Sequence, residues 1–489
     1  MTTNEIQHSK NLFGCSCKMA TIDTAIASAL QQFNLTCLKE EQKQILQAIL
    51  SGEDCVAVLP TEYGKSLPYQ LYIPVLKCIV CDNTASKKPV VLVCCPLVAL
   101  MEDQERRLRE IPSVNAELIG GEADEVIRNG EADIIFGSPE MIIGSKHWRE
   151  ELEKFNVKLI VVDEFHTVAT WGAVGQEEEK AFRKWFRCIG ELRSLFPSAV
   201  MLALSATCTK KMLKKVTDAL LMTGCKHFIT RNPNKENIKY IVRKIETDIQ
   251  SSMFWLIESI EKYKDRFPRT LIYCNSIKDV SQIYNYVVEE VPICKPFVDM
   301  FHSETTSEKK SQILSQLTKP SNLKLVICTS ALGMGIDIVD CYSVVMYGPP
   351  SNAVEFLQEG GRVGRKGEKS VCVLLYHSHQ MQHTDDDTRS LLRETTCRRL
   401  SIMSCFVKAK ELEEIKSKHF KKHNCCDLCE TMCDCKQCTR LPLEKILDVT
   451  DLGQISTDVV DSDSDTVSYD YQSGSVTDDE LLELTLDTL

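Results

Sequence analysis

No apolar run in the 489-residue chain approaches the ~20 residues that a membrane-crossing helix needs, so a helical spanning protein is excluded. The first twenty residues, MTTNEIQHSKNLFGCSCKMA, hold no apolar stretch of the kind a secretory leader carries, and an intracellular address is expected. No long internal repeat and no clear basic localisation run are visible. What remains is ordinary for a globular protein, with 43% hydrophobic and 26% charged residues and a length that suits two to four domains.

Basic residues are scarce at one end. From Leu441 to Leu489 there are 13 Asp/Glu against one Lys, so this stretch carries -12 of the formal -11 and the other 440 residues sum to about +1. The acidic balance therefore says little against nucleic-acid binding by the body of the chain. From about Asp448 the sequence is rich in Asp, Ser and Thr, and disorder is expected; DDELLELTLDTL (478–489) could form a short acidic amphipathic helix on a protein partner.

Cysteine is the abundant exception, at 24 residues. Most stand singly in apolar runs, as do Cys94, Cys95, Cys274, Cys328 and Cys372, and read as small buried hydrophobes in a reducing compartment. Six of the 24 fall between Cys425 and Cys438, which is a metal-site signal.

From about Thr21 to Thr230, short apolar runs alternate with amphipathic stretches. CVAVLP (55–60), VVLVCCP (90–96), DIIFGSP (133–139), KLIVVDE (158–164) and AVMLALSAT (199–207) predict buried parallel strands, with helices over 101–111 and 209–222. A second series has strands at 270–276, 323–330, 342–348 and 370–377 and a helix over 276–291. Residues 380–423 are helical in pattern and rich in charge. The fold class is α/β, two tandem parallel-sheet domains (21–235 and 236–380) between an N-terminal extension (1–20) and a small helical Cys-rich subdomain (381–440), then the acidic tail (441–489).

Three elements carry chemistry. The strand 55–59 runs into Leu59-Pro60-Thr61-Glu62-Tyr63-Gly64-Lys65-Ser66 and then a helix. Such a loop aims backbone N–H groups at phosphates; Thr61, Glu62, Gly64, Lys65 and Ser66 are the candidates to line it, with Lys65 reaching the β/γ-phosphates and Ser66 on Mg²⁺. Asp163 and Glu164 end a buried strand, where Asp163 would hold Mg²⁺ and Glu164 would orient or deprotonate water. Third, Gln358-Glu359-Gly360-Gly361-Arg362-Val363-Gly364-Arg365 places two arginines three apart, expected on one helical face, where guanidinium groups can stabilise charge on a transferring phosphoryl group. The bland alternative for that segment is a solvated basic turn.

Taken together these segments resemble a superfamily-2 helicase, and more closely the RecQ-like DNA helicases. Further matching segments are Leu38-Lys39-Glu40-Glu41-Gln42, Cys95 to Gln104, Asp163-Glu164-Phe165-His166 followed by Trp171-Gly172, Ser205-Ala206-Thr207, Tyr273 to Ser276, Ala331 to Asp337, and Cys397-Arg398-Arg399 with Cys426-Asp427-Leu428-Cys429. The resemblance spans roughly 21–430 and implies two RecA-like domains with ATP and Mg²⁺ between them. It makes Arg365 the arginine finger supported by Arg362 and Gln358, gives Gln42 the adenine, lets Lys39 pack on its face, and puts Asp337 among the nucleotide-binding residues. It implies movement 3′→5′ on single-stranded or partly duplex DNA, contacted by His166, Trp171, Phe182, Arg183, Asn275 and Thr329. A nuclear address and a part in DNA repair or recombination rest on the family as well.

The sequence departs from that pattern in four ways. Glu62 stands where relatives carry Gly. A carboxylate about 6 Å from a phosphate charge costs roughly 3 kcal/mol at an effective dielectric of about 20, so a tenfold to hundredfold weaker ATP affinity is expected. An acidic insertion, Ala173 to Ala181, interrupts the DNA-sensing loop between Trp171 and Phe182-Arg183. The zinc set expected from Cys397, Cys426 and Cys429 needs a fourth ligand, either Cys425 or His423, with Cys425 favoured; Cys433, Cys435 and Cys438 are left over, as a partial second site or as substitutes for that ligand. With only about fifty residues after Cys438, in a net acidic stretch, no counterpart of the family's winged-helix domain is expected, and translocation on single strands is expected over robust duplex unwinding. The competing readings are a weakly hydrolysing or inactive nucleic-acid-binding homologue, on account of Glu62, and an RNA helicase with the same engine; the DEFH segment with its Trp-Gly and the Cys-rich subdomain argue for DNA.

Overall fold

The structure is a computed structural model and describes residues 21–61, 63–79, 87–96, 98–120, 124–167, 185, 188–333, 338–436 and 438–450. The chain divides into two compact units, one comprising residues up to Ala206 plus Lys211–Arg231 and the other Thr207–Lys210 plus Asn232 onward. Glu62, Trp171, Phe182, Arg183, Asp337, the acidic insertion, the N-terminal extension and most of the acidic tail lie outside the described residues. No described helix is long and apolar enough to cross a membrane.

The first unit is a seven-stranded parallel sheet ordered β3-β4-β2-β5-β6-β1-β7. Its strands are β1 (Cys55–Val58), β2 (Pro89–Cys94), β3 (Ala116–Leu118), β4 (Ile134–Gly137), β5 (Asn156–Val162), β6 (Val200–Ser205) and β7 (His227–Thr230). Every residue of β1, β4 and β6 is buried, the signature of strands covered by helices on both faces. The helix Ile22–Gln32 starts where Thr21 Oγ1 accepts a hydrogen bond from Thr24 N–H at 3.3 Å, and it buries Ala25, Ile26, Ala29 and Leu30. The helical segment after β1 is broken into Leu67–Gln70 and Tyr72–Ile79. Pro74 has no N–H to offer the Gln70 carbonyl, which accounts for the break.

The second unit holds a six-stranded parallel sheet ordered β10-β11-β9-β12-β13-β8. Its strands are β8 (Ile238–Lys244), β9 (Thr270–Cys274), β10 (Val298–Phe301), β11 (Leu325–Cys328), β12 (Ser343–Tyr347) and β13 (Ser370–Tyr376). The helices Ile249–Tyr263 and Ile277–Glu290 begin at Asp248 and Ser276, whose side chains accept from Ser251 N–H and Asp279 N–H. Both sheets thus have the parallel α/β architecture expected of RecA-like domains. The Cys-rich region is not a body apart: its helices (Asp386–Arg393, Arg398–Ser404, Ala409–His419 and Asp427–Thr431) belong to the second unit, and its cysteines share one core with Tyr240 and Phe356.

Candidate active site and metal centre

In the first sheet β6 alone separates β1 from β5. The loop after β1 and the acidic pair after β5 therefore leave the same edge of the sheet about 10 Å apart, at ~4.8 Å per strand step. Backbone bonds hold that edge in register: Leu59 N–H donates to the Ser205 carbonyl at 3.0 Å, Phe165 N–H to Leu204 at 3.0 Å and Asp163 N–H to Cys94 at 2.9 Å. Lys65 spans the gap and donates to Glu164 Oε1 at 2.6 Å. Glu164 takes a left-handed φ of 48°, and its own N–H donates to Asp163 Oδ1 at 2.9 Å.

Burial works against every charge here, and the mutual arrangement counters it. Burial would lower the Lys65 pKa, but the Glu164 and Asp163 carboxylates beside it raise it above the ordinary lysine value. Burial would raise that of Glu164, but Lys65 holds it well below the carboxylate range. Asp163 is pushed up by burial, which Lys65 offsets only in part. Ser66 sits at the N-cap of Leu67–Gln70 and its hydroxyl caps nothing, so Ser66 and the buried Asp163 offer hard oxygen ligands of the kind Mg²⁺ takes.

His166, expected among the DNA contacts, is only 3% exposed. Its Nδ1 lies 2.9 Å from Ser205 Oγ and 3.2 Å from Glu164 Oε2, so it links the acidic pair to the Ser-Ala-Thr segment after β6. Arg362 and Arg365 do not share a helical face. The helix Ala353–Gly360, which carries the half-buried Gln358, ends before them, and the chain turns at Gly364 with φ 62°. A Cβ at Gly364 would come within 2.2 Å of Asn237 Nδ2, which bonds the Gly364 and Glu368 carbonyls at 2.9 and 2.7 Å, so the glycine enforces the turn. Arg362 is 7% exposed and donates to the Gly333 carbonyl.

Gln42 is folded onto the phosphate loop. Its amide nitrogen donates to the Tyr63 and Gly64 carbonyls, both at 3.0 Å, and its oxygen accepts from Lys39 N–H at 2.9 Å. Gly64 has φ 78°, and a Cβ there would meet that amide at 2.6 Å. Lys39 lies 4.3 Å from the centre of the Tyr63 ring, and Arg231 lies 5.0 Å from it. Arg231 also donates to Glu41 Oε1 at 2.8 Å, and Glu41 accepts from the Tyr63 hydroxyl. Sequence reasoning missed this clasp of Glu41, Tyr63 and Arg231; its only signal is a Tyr inside the loop. Thr61 is exposed beside it. In the second unit, Asn275 is exposed at the end of β9 and Thr329 half-buried at the end of the adjacent β11, on one edge of the sheet.

The structure brings Cys397, Cys425, Cys426 and Cys429 together, with their sulfurs within 4.8 Å of one another and all four buried. The Cys397 and Cys425 sulfurs are 3.6 Å apart, close to the ~3.8 Å edge of a tetrahedron with Zn–S bonds of about 2.3 Å, and no pair is oxidised. A buried all-thiol set of this geometry fits zinc and leaves no open position. His423 stands outside it. The adjoining arginines brace the site on β8: Arg399, fully buried, donates to Asn234 Oδ1 at 2.6 Å and to the Lys235 carbonyl at 2.7 Å, and Arg398 Nε lies 3.4 Å from Asp427 Oδ1. Lys239 and Arg243 of β8 pair with Glu430 and Asp427 at 2.6 and 2.8 Å. The single cysteines Cys94, Cys95, Cys274, Cys328 and Cys372 are buried and form no disulfide, as their apolar settings predict.

Comparison with known proteins agrees with this arrangement. Residues 39–216 match the DEAD/DEAH box helicase family, and residues 253–367 match the helicase conserved C-terminal domain. The chain is 31% identical over 357 residues to the probable ATP-dependent DNA helicase RecS of Bacillus subtilis, covering 71% of this chain and 65% of that one. It is 30% identical over 359 residues to the mouse ATP-dependent DNA helicase Q1, covering 70% of this chain and 51% of that one. It thus spans half to two thirds of the length of these relatives. Among solved structures, the DUF1998 helicase MrfA bound to DNA and AMPPNP shares the fold with a TM-score of 0.56 at 21% identity, over 77% of this chain and 52% of that one. Dbp5 of S. cerevisiae bound to RNA and ADP BeF3 does so with a TM-score of 0.56 at 16% identity, over 82% of this chain and 97% of that one. The two domain matches in tandem, the relatives at about 30% identity and the cysteine centre behind the second sheet place the chain in the RecQ-like helicase family.

Proposed function

We propose that the chain is an ATP-dependent motor on DNA that couples hydrolysis to 3′→5′ movement along a single strand. The observation that carries this reading is the Lys65–Glu164 pair, closed at 2.6 Å beside Asp163 at the ends of β1 and β5. Lys65 neutralises the carboxylate that would act on water. An entering phosphate competes for Lys65, and its departure from Glu164 raises the proton affinity of that carboxylate, which arms it as a base. His166, between Glu164 Oε2 and Ser205 Oγ, ties that change to the segment after β6. Mg²⁺ held by Ser66 and Asp163 would supply charge neutralisation on the β- and γ-phosphates. Family resemblance assigns Arg365 the finger role, with Arg362 and Gln358 in support, and gives Asn275 and Thr329 to DNA. The exposed Asn275 and half-buried Thr329, on neighbouring strand ends, suit that role. The reading extends to a nuclear protein of DNA repair or recombination whose acidic tail docks on a protein partner. The relatives named as DNA helicases, and the zinc-type centre, favour DNA over RNA.

Glu62 favours a second reading, in which the motor binds nucleic acid but turns over slowly. The deciding experiment is ATP hydrolysis with single-stranded DNA, with RNA and without either, for the native chain, Glu62→Gly and Lys65→Ala. DNA-stimulated turnover of the native chain, absent in Lys65→Ala, is the expected result. Activity confined to Glu62→Gly would establish the slow or disabled homologue. Stimulation by RNA alone would overturn the DNA assignment, and silence in all three proteins would overturn the nucleotide site.

A further inference from the structure

We infer that His423, Cys433, Cys435 and Cys438 form a second zinc site, separate from the buried four-cysteine centre. Their ligand atoms all lie within 4.8 Å of one another. His423 Nδ1 is 3.7 Å from Cys433 Sγ, and the Cys435 and Cys438 sulfurs are 3.1 Å apart. A tetrahedral zinc with Zn–S near 2.3 Å and Zn–N near 2.0 Å sets these edges at about 3.5–3.8 Å, so small adjustments close the shell. A disulfide would need about 2.05 Å and would give His423 and Cys433 no reason to converge on the same point. Three thiolates and an imidazole suit zinc, whereas magnesium and calcium prefer oxygen.

The surrounding chain needs such a staple. From Thr431 to Arg440 none of the described residues is buried, so no apolar core holds this segment. It is nonetheless folded back on Lys421: Asp434 N–H points at the Lys421 carbonyl at 3.4 Å, and Lys436 N–H donates to Cys433 at 3.0 Å. Lys421 and Lys436 both take left-handed backbone conformations, at φ 58° and 55°, which cost a side-chain-bearing residue about 1 kcal/mol or more each. Bonds to a metal offset such costs where packing cannot. Lys421, Lys422, Lys436 and Arg440 are one or two residues from a ligand in sequence, so the net negative charge of a Cys₃His zinc unit meets cations.

The site would fix the path of the chain between the buried centre and the segment that follows. Beyond it, Leu441 N–H donates to Glu430 Oε2 at 3.2 Å and its carbonyl accepts from Arg243 at 3.1 Å. Ile446 and Leu447 are buried, and Asp448 pairs with Lys262 at 2.7 Å. The acidic tail would thus leave from a metal-stapled anchor on the second unit.

The test is zinc content of the full chain by elemental analysis. Two zinc ions per chain are expected in the native protein, one in Cys433→Ser/Cys438→Ser and one in Cys426→Ser/Cys429→Ser. A native content of one, or a Cys433→Ser/Cys438→Ser protein that retains the native content, overturns the site. A second measurement needs no variant: N-ethylmaleimide modification of the zinc-loaded chain, mapped by mass spectrometry, with the exposed free Cys37 as reference. Cys433, Cys435 and Cys438 should react at least about tenfold more slowly than Cys37 and catch up after chelation. Equal rates before chelation, or protection that survives chelation together with the 2 Da loss of a disulfide, would overturn the proposal.

Discussion

Each unit buries a cluster of opposite charges, and the two clusters are built differently. In the second unit Asp427 and Glu430 use both oxygens: Asp427 faces Arg243 at 2.8 Å and Arg398 at 3.4 Å, while Glu430 accepts from Lys239 at 2.6 Å and from Leu441 N–H at 3.2 Å. In the first unit Glu164 spends Oε1 on Lys65, and its Oε2 faces His166 Nδ1 at 3.2 Å, which sits closer to Ser205 Oγ at 2.9 Å. A saturated cluster has one arrangement and acts as a brace. A cluster with an oxygen to spare and a partner that a phosphate can remove has two, which is what a reaction cycle needs.

Breaking the brace should cost most. Asp427→Ala leaves Arg243 and Arg398 buried without their carboxylate, and a loss of about 3–5 kcal/mol is expected, seen as a large drop in the thermal midpoint of the second unit. Nucleotide binding to the first unit should survive. A change of less than about 1 kcal/mol would mean that Asp427 is no brace, and the comparison would fail on that side.

The other side is sharpened by Glu164→Gln. The amide keeps a hydrogen bond to Lys65 and the same volume, and Asp163 stays beside the ammonium, so stability should fall by about 1–3 kcal/mol, less than in Asp427→Ala. Hydrolysis should fall about a hundredfold or more with nucleotide affinity retained. Equal losses of stability and turnover would show that this cluster too is structural.

How much of this was legible in the sequence depended on whether the partners are local. The runs at β1, β4 and β6 are fully apolar and reveal themselves. β3 (AEL), β7 (HFIT) and β10 (VDMF) are short, with polar or exposed residues, and they escaped notice. β8 reads IKYIVRK, and its Lys239 and Arg243 disguise a strand buried at six of seven positions; their carboxylates lie more than 180 residues away and no local pattern announces them. The acidic pair and the phosphate loop were legible because motif spacing encodes them. The placing of Arg362 and Arg365 on a turn was not, although Gly360, Gly361 and Gly364 together signal the end of a helix. Spacing likewise left Cys425 and His423 as rivals for one zinc, because C-x₂-C arithmetic does not say that each belongs to a different cluster.

Glu359 adds a third kind of carboxylate, half-buried and without a saturating cation. Burial first, and repulsion from Glu355 second, push its pKa up to about 8, while Arg362 pulls the other way without cancelling them. The folded chain therefore keeps a proton that the unfolded chain releases near 4.5. The resulting stability is fully present below about pH 4.5 and is lost as the pH rises through about 8. Because the side chain is partly accessible, about 1–2 kcal/mol of that dependence is expected. Glu359→Gln holds no titrating proton and should flatten the profile, so its thermal midpoint should gain about 2–4 °C on the native chain between pH 5 and pH 8. A gap that stays within 1 °C across that interval would mean that Arg362 holds Glu359 charged at both pH values. Glu359 would then belong with Asp427 and Glu430 among the paired braces.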